Sequence, residues 1–319
     1  MVRYIECYPE YQKFEKFIKL LLRIINLSII PKNYLRGYEK FIIPIFEIYA
    51  LTSGVFTMLF YEQDLMIFIV RVLCTVGLLY LLIKSLSVLA NTDQLNVLFL
   101  FIQEAHQVYQ VDYVTDSAKI YLKRSLGIIK IIIGIMFPAY FVAGIGVISY
   151  SVYVDSMVLA VPGVLHIPKA DLFYHHMHQF FVMQLSVIIL MVPETVLISI
   201  GFYFIAILNI FKDILRYIDN VDPMNKREFL FQIHKFHCNI LDKFCIFSEV
   251  FYYTFSIQIA MSTVCILFIF FILQTDGGFI FFPLLLAVFI QFGTICIFRR
   301  AHLFENGKTF NRIVPHKLV

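Results

Sequence analysis

The chain has 319 residues, of which 60% are hydrophobic and 15% charged, and its mean hydropathy is +0.81. Soluble domains run nearer to about half apolar and a quarter charged residues, so the composition excludes a soluble globular protein and points to a membrane protein. The net charge of +4 is modest and requires no nucleic-acid partner; its distribution along the chain matters more than its size.

The first 20 residues mix acids and bases and contain no uninterrupted apolar core. They do not read as a signal peptide, so the first membrane helix is expected to act as its own insertion signal. Residues 14–30, "FEKFIKLLLRIINLSII", are apolar but carry Lys16, Lys19 and Arg23. Steps of three and four place these on one helical face, predicting an amphipathic helix at the membrane surface. A bilayer core of about 30 Å needs about 20 mostly apolar residues per crossing helix. Six stretches meet that length, near 41–61, 66–88, 127–150, 179–208, 247–272 and 279–298. The predicted fold class is therefore an all-α transmembrane bundle. Residues 1–40 form a cytoplasmic N-terminal segment, 41–298 the bundle and 299–319 a short cytoplasmic tail, expected to stay mobile.

Basic residues set the orientation. With the N-terminus inside, 23 of the 26 lysines and arginines fall on the cytoplasmic side and only Lys169 falls outside, while Arg71 and Lys84 lie within the second span. The six cysteines avoid the outer loops, so no extracellular disulfide is expected. The Asn26-Leu27-Ser28 sequon is on the wrong side for glycosylation. Two cytoplasmic segments read as helical, within 91–124 and 226–246. In the second, Leu230, Ile233, His237, Ile240, Phe244 and Phe247 form a seam, which suits packing within the chain better than subunit assembly.

Polar residues inside spans are costly and are functional candidates by default. These are Glu47 in span one, Arg71 in span two and Glu194 after Pro193 in span four. Lys84 is near the inner end of its span and is expected to snorkel to the surface. No HExxH, GxSxG, CxxC or phosphate-binding glycine loop is present, so no enzymatic chemistry and no cofactor are indicated. Asp171, His175 and His178 share a helical face, with His176 beside them, and two histidines with a carboxylate can bind a transition metal. The cluster sits among Phe173, Tyr174, Met177, Phe180 and Phe181, and no further carboxylates orient it. It reads as a membrane interface and not as a metal site. The preceding outer loop carries Pro162 and Pro168 and is largely apolar, as a lid over a hydrophobic pocket would be.

Taken together, these features resemble the insect odorant receptor family. The resemblance covers about residues 15–298. It rests on the inside N-terminus and on the outer loop "VPGVLHIPKAD" followed by "YHHMHQFF". It also rests on the acidic Glu194, on "ILNIFKDILRYI" continuing below span four, and on a histidine-containing helix running from "FLFQIHKFHCNILDKF" into span five. Insect gustatory receptors share the architecture. The resemblance implies seven spans and a ligand-gated cation channel, assembled as a hetero-tetramer with a common co-receptor subunit in the plasma membrane of sensory neurons. It implies assembly through the cytosolic ends of the later helices. It further implies a small volatile odorant in an apolar outer-half pocket among spans two, three, four and six, and a pore lined by span seven. Cys296 matches the cysteine usual at the end of span six, but Arg299 stands where a glycine is typical, and residues 299–319 cannot hold a further crossing. A truncated, non-conducting product is one alternative. A small-solute transporter using Glu47 and Glu194 is another, although no internal repeat supports it.

Independently of that resemblance, six helices rich in aromatics and poor in charge can bury a small apolar ligand oriented by one or two polar groups. The candidate ligand-binding residues are Phe68, Arg71, Tyr140, Phe141, Tyr150, Phe180, Gln184 and Phe281. Glu47 and Glu194 are the intramembrane polar candidates, and membrane lipid is the expected surrounding.

Overall fold

The computed structural model describes residues 3–26, 38–61, 64–109, 112–164, 172–218, 226–274 and 278–313, with residues 112–113 and 299–313 as backbone only. Eight helices follow in chain order: α1 (Tyr8–Ile25), α2 (Glu39–Phe60), α3 (Leu65–Ala90), α4 (Thr92–Glu104), α5 (Asp112–Tyr153), α6 (Leu172–Tyr217), α7 (Lys226–Leu273) and α8 (Phe282–Ile313). A 3-10 turn, Gly278–Phe281, leads into α8. Six of these segments are long and apolar enough to cross a membrane, and they coincide with the six predicted stretches. The chain is a multi-pass helical membrane protein.

Several helices are longer than the predicted spans and run on beyond the apolar stretches. The cytoplasmic helices expected within 91–124 resolve into α4 and the first turns of α5, and α5 then continues unbroken past Pro138. Helix α7 likewise joins the predicted 226–246 helix to span five. Helix α8 continues to Ile313, so residues 299–313 are helical where a mobile tail was expected.

Helix α6 is the centre of the bundle. In its apolar stretch 78% of residues are buried, against 22% in α7 and 33 to 39% in the other spans. An all-round apolar helix belongs inside, and α6 supplies it with an unbroken buried run from Met191 to Phe204. Its most extensive partner is α5. Small residues let the other helices approach closely. Ser53, Gly54 and Thr57 line one face of α2, and a Cβ on Gly54 would stand 2.7 Å from Thr75 Oγ1 of α3.

Helix α1 begins at Tyr8, earlier than expected, with Pro9 in its first turn, where a missing N–H costs nothing. Lys16 and Arg23 point outward, as the spacing required. The opposite stripe of Tyr11, Phe14, Ile18, Leu22 and Ile25 is buried against the rest of the bundle. The surface helix is therefore docked on the protein as well as amphipathic. Its N-terminal lead is tied down by backbone: Ile5 N–H donates to the His106 carbonyl at 2.9 Å, and Val108 N–H to that of Arg3 at 2.9 Å.

His106 closes this corner of the bundle. Its ring stacks on Tyr11 with centroids 4.4 Å apart and meets Tyr203 edge-on at 5.7 Å. Nδ1 donates to the Ile102 carbonyl at 2.8 Å. Burial lowers its pKa from 6.5 to about 4, because the cation cannot be hydrated there. The folded state thus favours the neutral ring. The stability it contributes is complete above pH 6.5 and is lost as pH falls from 6.5 to about 4.

The predicted seam on α7 packs within the chain. Ile233, Ile240 and Phe247 are buried, His237 stacks on Phe211 of α6 at 5.1 Å, and Phe244 meets Phe204 edge-on at 5.6 Å. Leu230 departs from the pattern and is exposed.

Three outcomes are expected. The melting temperature of the detergent-solubilised protein should fall between pH 7 and pH 4.5, and His106→Asn should lessen that fall while lowering stability at pH 7. A bulky side chain at Gly54, as in Gly54→Leu, should cost about 1–3 kcal/mol by forcing α2 from α3, read as a lower melting temperature. An N-terminal epitope tag should be stained only after the cells are permeabilised; surface staining would overturn the orientation.

Candidate ligand-binding site

Two polar systems, one at each end of an apolar interior, define the site. At the outer end the loop after α5 folds back into the bundle, and Met157, Val158, Leu159 and Ala160 are buried. Buried loop backbone needs partners, and side chains from three helices supply them. Arg71 of α3 donates from Nε to the Met157 carbonyl at 2.8 Å and from Nη1 to the Tyr61 carbonyl at 3.1 Å. Ser53 of α2 donates to the Ala160 carbonyl at 2.6 Å, while Thr57 Oγ1 accepts from Ala160 N–H at 2.8 Å. Gln179 of α6 accepts from Val158 N–H at 3.1 Å and donates to Ser151 Oγ at 2.9 Å. Asp155, at φ 51°, and Gly163, at φ 90°, turn the chain in and out of this plug. The described part of the loop thus folds back into the bundle, although none of its residues lines the cavity described below; Pro168, Lys169 and Asp171 lie outside the described residues.

The inner system centres on Glu194, one residue after Pro193 in α6. Its Oε1 accepts from Lys84 Nζ of α3 and from Gln291 Nε2 of α8. Both charged side chains are 1% exposed. Lys84 therefore does not snorkel: it is held inward by the carboxylate and lies 4.3 Å above the Tyr80 ring. The sequence reading missed this because Lys84 sits near the end of its span, where an exit to water is the cheaper expectation. Its partner is 110 residues away. Glu47 forms a separate link, accepting from Ser85 Oγ at 2.5 Å.

Between these systems lies a cavity of about 150 Å³. Its walls come from five helices: Leu73, Cys74 and Tyr80 of α3; Tyr140 and Val147 of α5; Met183 and Leu190 of α6; Ser262 and Cys265 of α7; Leu284 and Gln291 of α8, with Phe281 capping it. An apolar cavity of about 150 Å³ accepts one ring-sized molecule. Spans two, three, four and six contribute as expected, and span five joins them.

The candidate residues fall into three groups. Tyr140 and Phe281 line the cavity. Tyr150 stands behind Phe281, edge-on at 5.6 Å, and Gln184 is buried against Gly144, with both amide atoms unpartnered. Phe68, Arg71, Phe141 and Phe180 are elsewhere. Phe68 and Phe141 are 39% and 45% exposed on the outside of the bundle, Phe180 packs against Phe181, and Arg71 pins the loop. An aromatic residue in a span reads alike on either face of a helix that is apolar all round, so sequence could not separate these. Tyr80, Gln291, Ser262 and Cys265 were missed. Gln291, the lone amide in "LLLAVFIQFG", carried a usable signal.

The histidines at the outer end are engaged in local contacts. His178 Nε2 is 2.6 Å from the Tyr49 hydroxyl, and His176 Nδ1 accepts from Gln179 Nε2 at 2.7 Å. All six cysteines are free.

This arrangement defines a class: a polytopic helical protein enclosing a small apolar cavity under a plugged outer mouth. The same fold occurs in solved structures of the insect olfactory receptor OR5 from Machilis hrabei. The match has a TM-score of 0.71 at 15% identity and covers 92% of this chain and 80% of that one. The OR5 structure in complex with eugenol matches with a TM-score of 0.69, at the same identity and coverage. No protein-family model matches the chain, and no curated protein sequence does.

Removing one partner of a buried ion pair leaves an unpaired charge and costs about 3–5 kcal/mol, whereas replacing both with apolar groups is often nearly neutral. Lys84→Met should therefore strongly lower the yield and melting temperature of solubilised protein, and adding Glu194→Leu should recover much of the loss. A double variant as unstable as the single one would show that the pair is not the source of the defect.

Proposed function

We propose that this chain is an odorant receptor subunit that binds a small volatile ligand in the central cavity and contributes to a ligand-gated cation channel. The observation that carries the reading is the small apolar cavity in a bundle with the olfactory receptor fold. In this reading the subunit assembles with a common co-receptor into a hetero-tetramer in the plasma membrane of sensory neurons. No reaction is catalysed. Binding stabilises whichever packing of α3, α5, α6, α7 and α8 best encloses the ligand, and a ligand shifts an equilibrium only by its differential affinity for the two states.

The proposed physical sequence is short. A volatile molecule partitions into the membrane or reaches the outer mouth, enters beneath the loop plug and leaves water behind. Burying its apolar surface contributes about 25 cal/mol per Å². The contact is felt by five helices at once, because each contributes wall residues. Three of the five, α3, α6 and α8, are also joined by the Lys84–Glu194–Gln291 knot. A movement of one is therefore passed to the others.

Current recordings from cells expressing this chain with a co-receptor, under a panel of single-ring volatiles, test the proposal. Gly77 lines the cavity, and a Cβ there would meet no atom within 4 Å. Gly77→Leu should therefore keep surface expression while abolishing the response. Unchanged responses in that variant would place the ligand elsewhere.

A further inference from the structure

The groups in and just behind the wall at the inner end of the cavity hold more hydrogen-bonding capacity than the protein itself uses. Helices α3 and α7 run antiparallel, and Ser87 Oγ of α3 donates to the Val250 carbonyl of α7 at 2.5 Å. That contact sets the register. Stepping outward from it, Lys84 comes within about one residue of the level of Thr254 and Tyr80 of that of Gln258, and Gly77 and Cys74 within about two of Ser262 and Cys265. The last two pairs line the cavity, as does Tyr80. Thr254, Gln258 and Ser262, four residues apart, share the face of α7 that turns inward, and all three are buried. Gln258 is 1% exposed, yet neither its Nε2 nor its Oε1 has a partner, and Thr254 Oγ1 has none either. The Tyr80 hydroxyl lies beside the Glu194 carboxylate, to which it can donate, and its oxygen keeps accepting capacity. Buried amides and hydroxyls in folded proteins are normally satisfied by protein or by ordered water.

We propose that this end of the cavity is a subsite for the hydroxyl group of a neutral, ring-sized alcohol or phenol, received by Gln258 and Tyr80. The inference rests on the reading of the cavity as a ligand site and adds the ligand's chemical class. A hydroxyl suits the site because it both donates and accepts, and the unpartnered Gln258 amide offers one acceptor and a donor group. A charged head group does not suit it: Lys84 and Glu194 already neutralise one another, so an ion would be buried without a counter-charge. A hydrocarbon of the same shape would fill the apolar walls but leave these groups unmatched, or caging a water molecule.

The test compares 4-methylphenol with 1,4-dimethylbenzene, which differ by a hydroxyl against a methyl group. Each is titrated into the purified full chain in detergent, with free concentrations measured in the headspace. The rise in melting temperature gives an apparent Kd. The phenol is expected to bind at least about ten-fold more tightly, the factor of one good hydrogen bond. Gln258→Leu and Tyr80→Phe should each bring the two affinities within about three-fold. Tyr80→Phe removes a single oxygen and decides the matter if Gln258→Leu does not fold. Equal affinities in the parent chain, or a preference surviving in both variants, overturn the subsite while leaving the cavity as the ligand site. If neither probe stabilises the parent and Gly77→Leu keeps its odorant response, the cavity reading fails and the subsite with it.

Discussion

The buried contact of Lys84 and Glu194 with Gln291 is the constraint on which the rest of the bundle depends. An ionised side chain inside a membrane protein must find an opposite charge or reach water, and neither of these charged groups reaches water. Each therefore dictates where the other's helix lies. Helix α6 must present Glu194 to α3, and α8 must approach closely enough for Gln291 to reach the same oxygen. With these three helices joined, α6 is forced to the centre, which agrees with its buried fraction. The level of the knot also sets the floor of the cavity, because Tyr80, one turn above Lys84, and Gln291 line it directly.

The outer end is held by a different device. There the polar partners are backbone groups of a loop, and the side chains that satisfy them come from α2, α3 and α6. Arg71 suits this work, since its several donors can serve more than one carbonyl. The corner at α1 uses a third device, stacked aromatic rings around the neutral His106. Polar material is thus concentrated near the ends of the bundle, and the space between is apolar and incompletely filled. A cavity results because small residues such as Ala143, Gly144 and Gly77 share its wall with bulky ones such as Tyr140 and Phe281 and leave space between them.

Helix α7 stands apart. The seam in its first half is packed, but Tyr252, Tyr253 and Leu267 in the span are exposed. In a bilayer such residues are at home against lipid or against another helix. The face that turns inward carries the polar series Thr254, Gln258 and Ser262, so α7 is polar where it meets α3 and apolar where it leaves the chain. That inversion is economical in a membrane, where apolar groups outside cost nothing and polar groups are best kept between helices.

What the sequence determined by itself was the class and the number of crossing segments, with their direction as an expectation. Apolar runs of about 20 residues are legible one residue at a time, and the bias of lysine and arginine is a count. The need for Glu194 to face protein was equally legible, since the cost of an exposed carboxylate in lipid depends on no neighbour. Tertiary structure alone decided which residues meet. Lys84 read as an end-of-span lysine until α6 brought Glu194 to it. Phe141 and Tyr140 are adjacent in sequence and equally aromatic, yet one is exposed and the other lines the cavity. In a soluble helix an apolar stripe marks the buried face. In lipid both faces are apolar, so the periodic signal that would have assigned these residues is erased, and only the packing of one helix on another restores it.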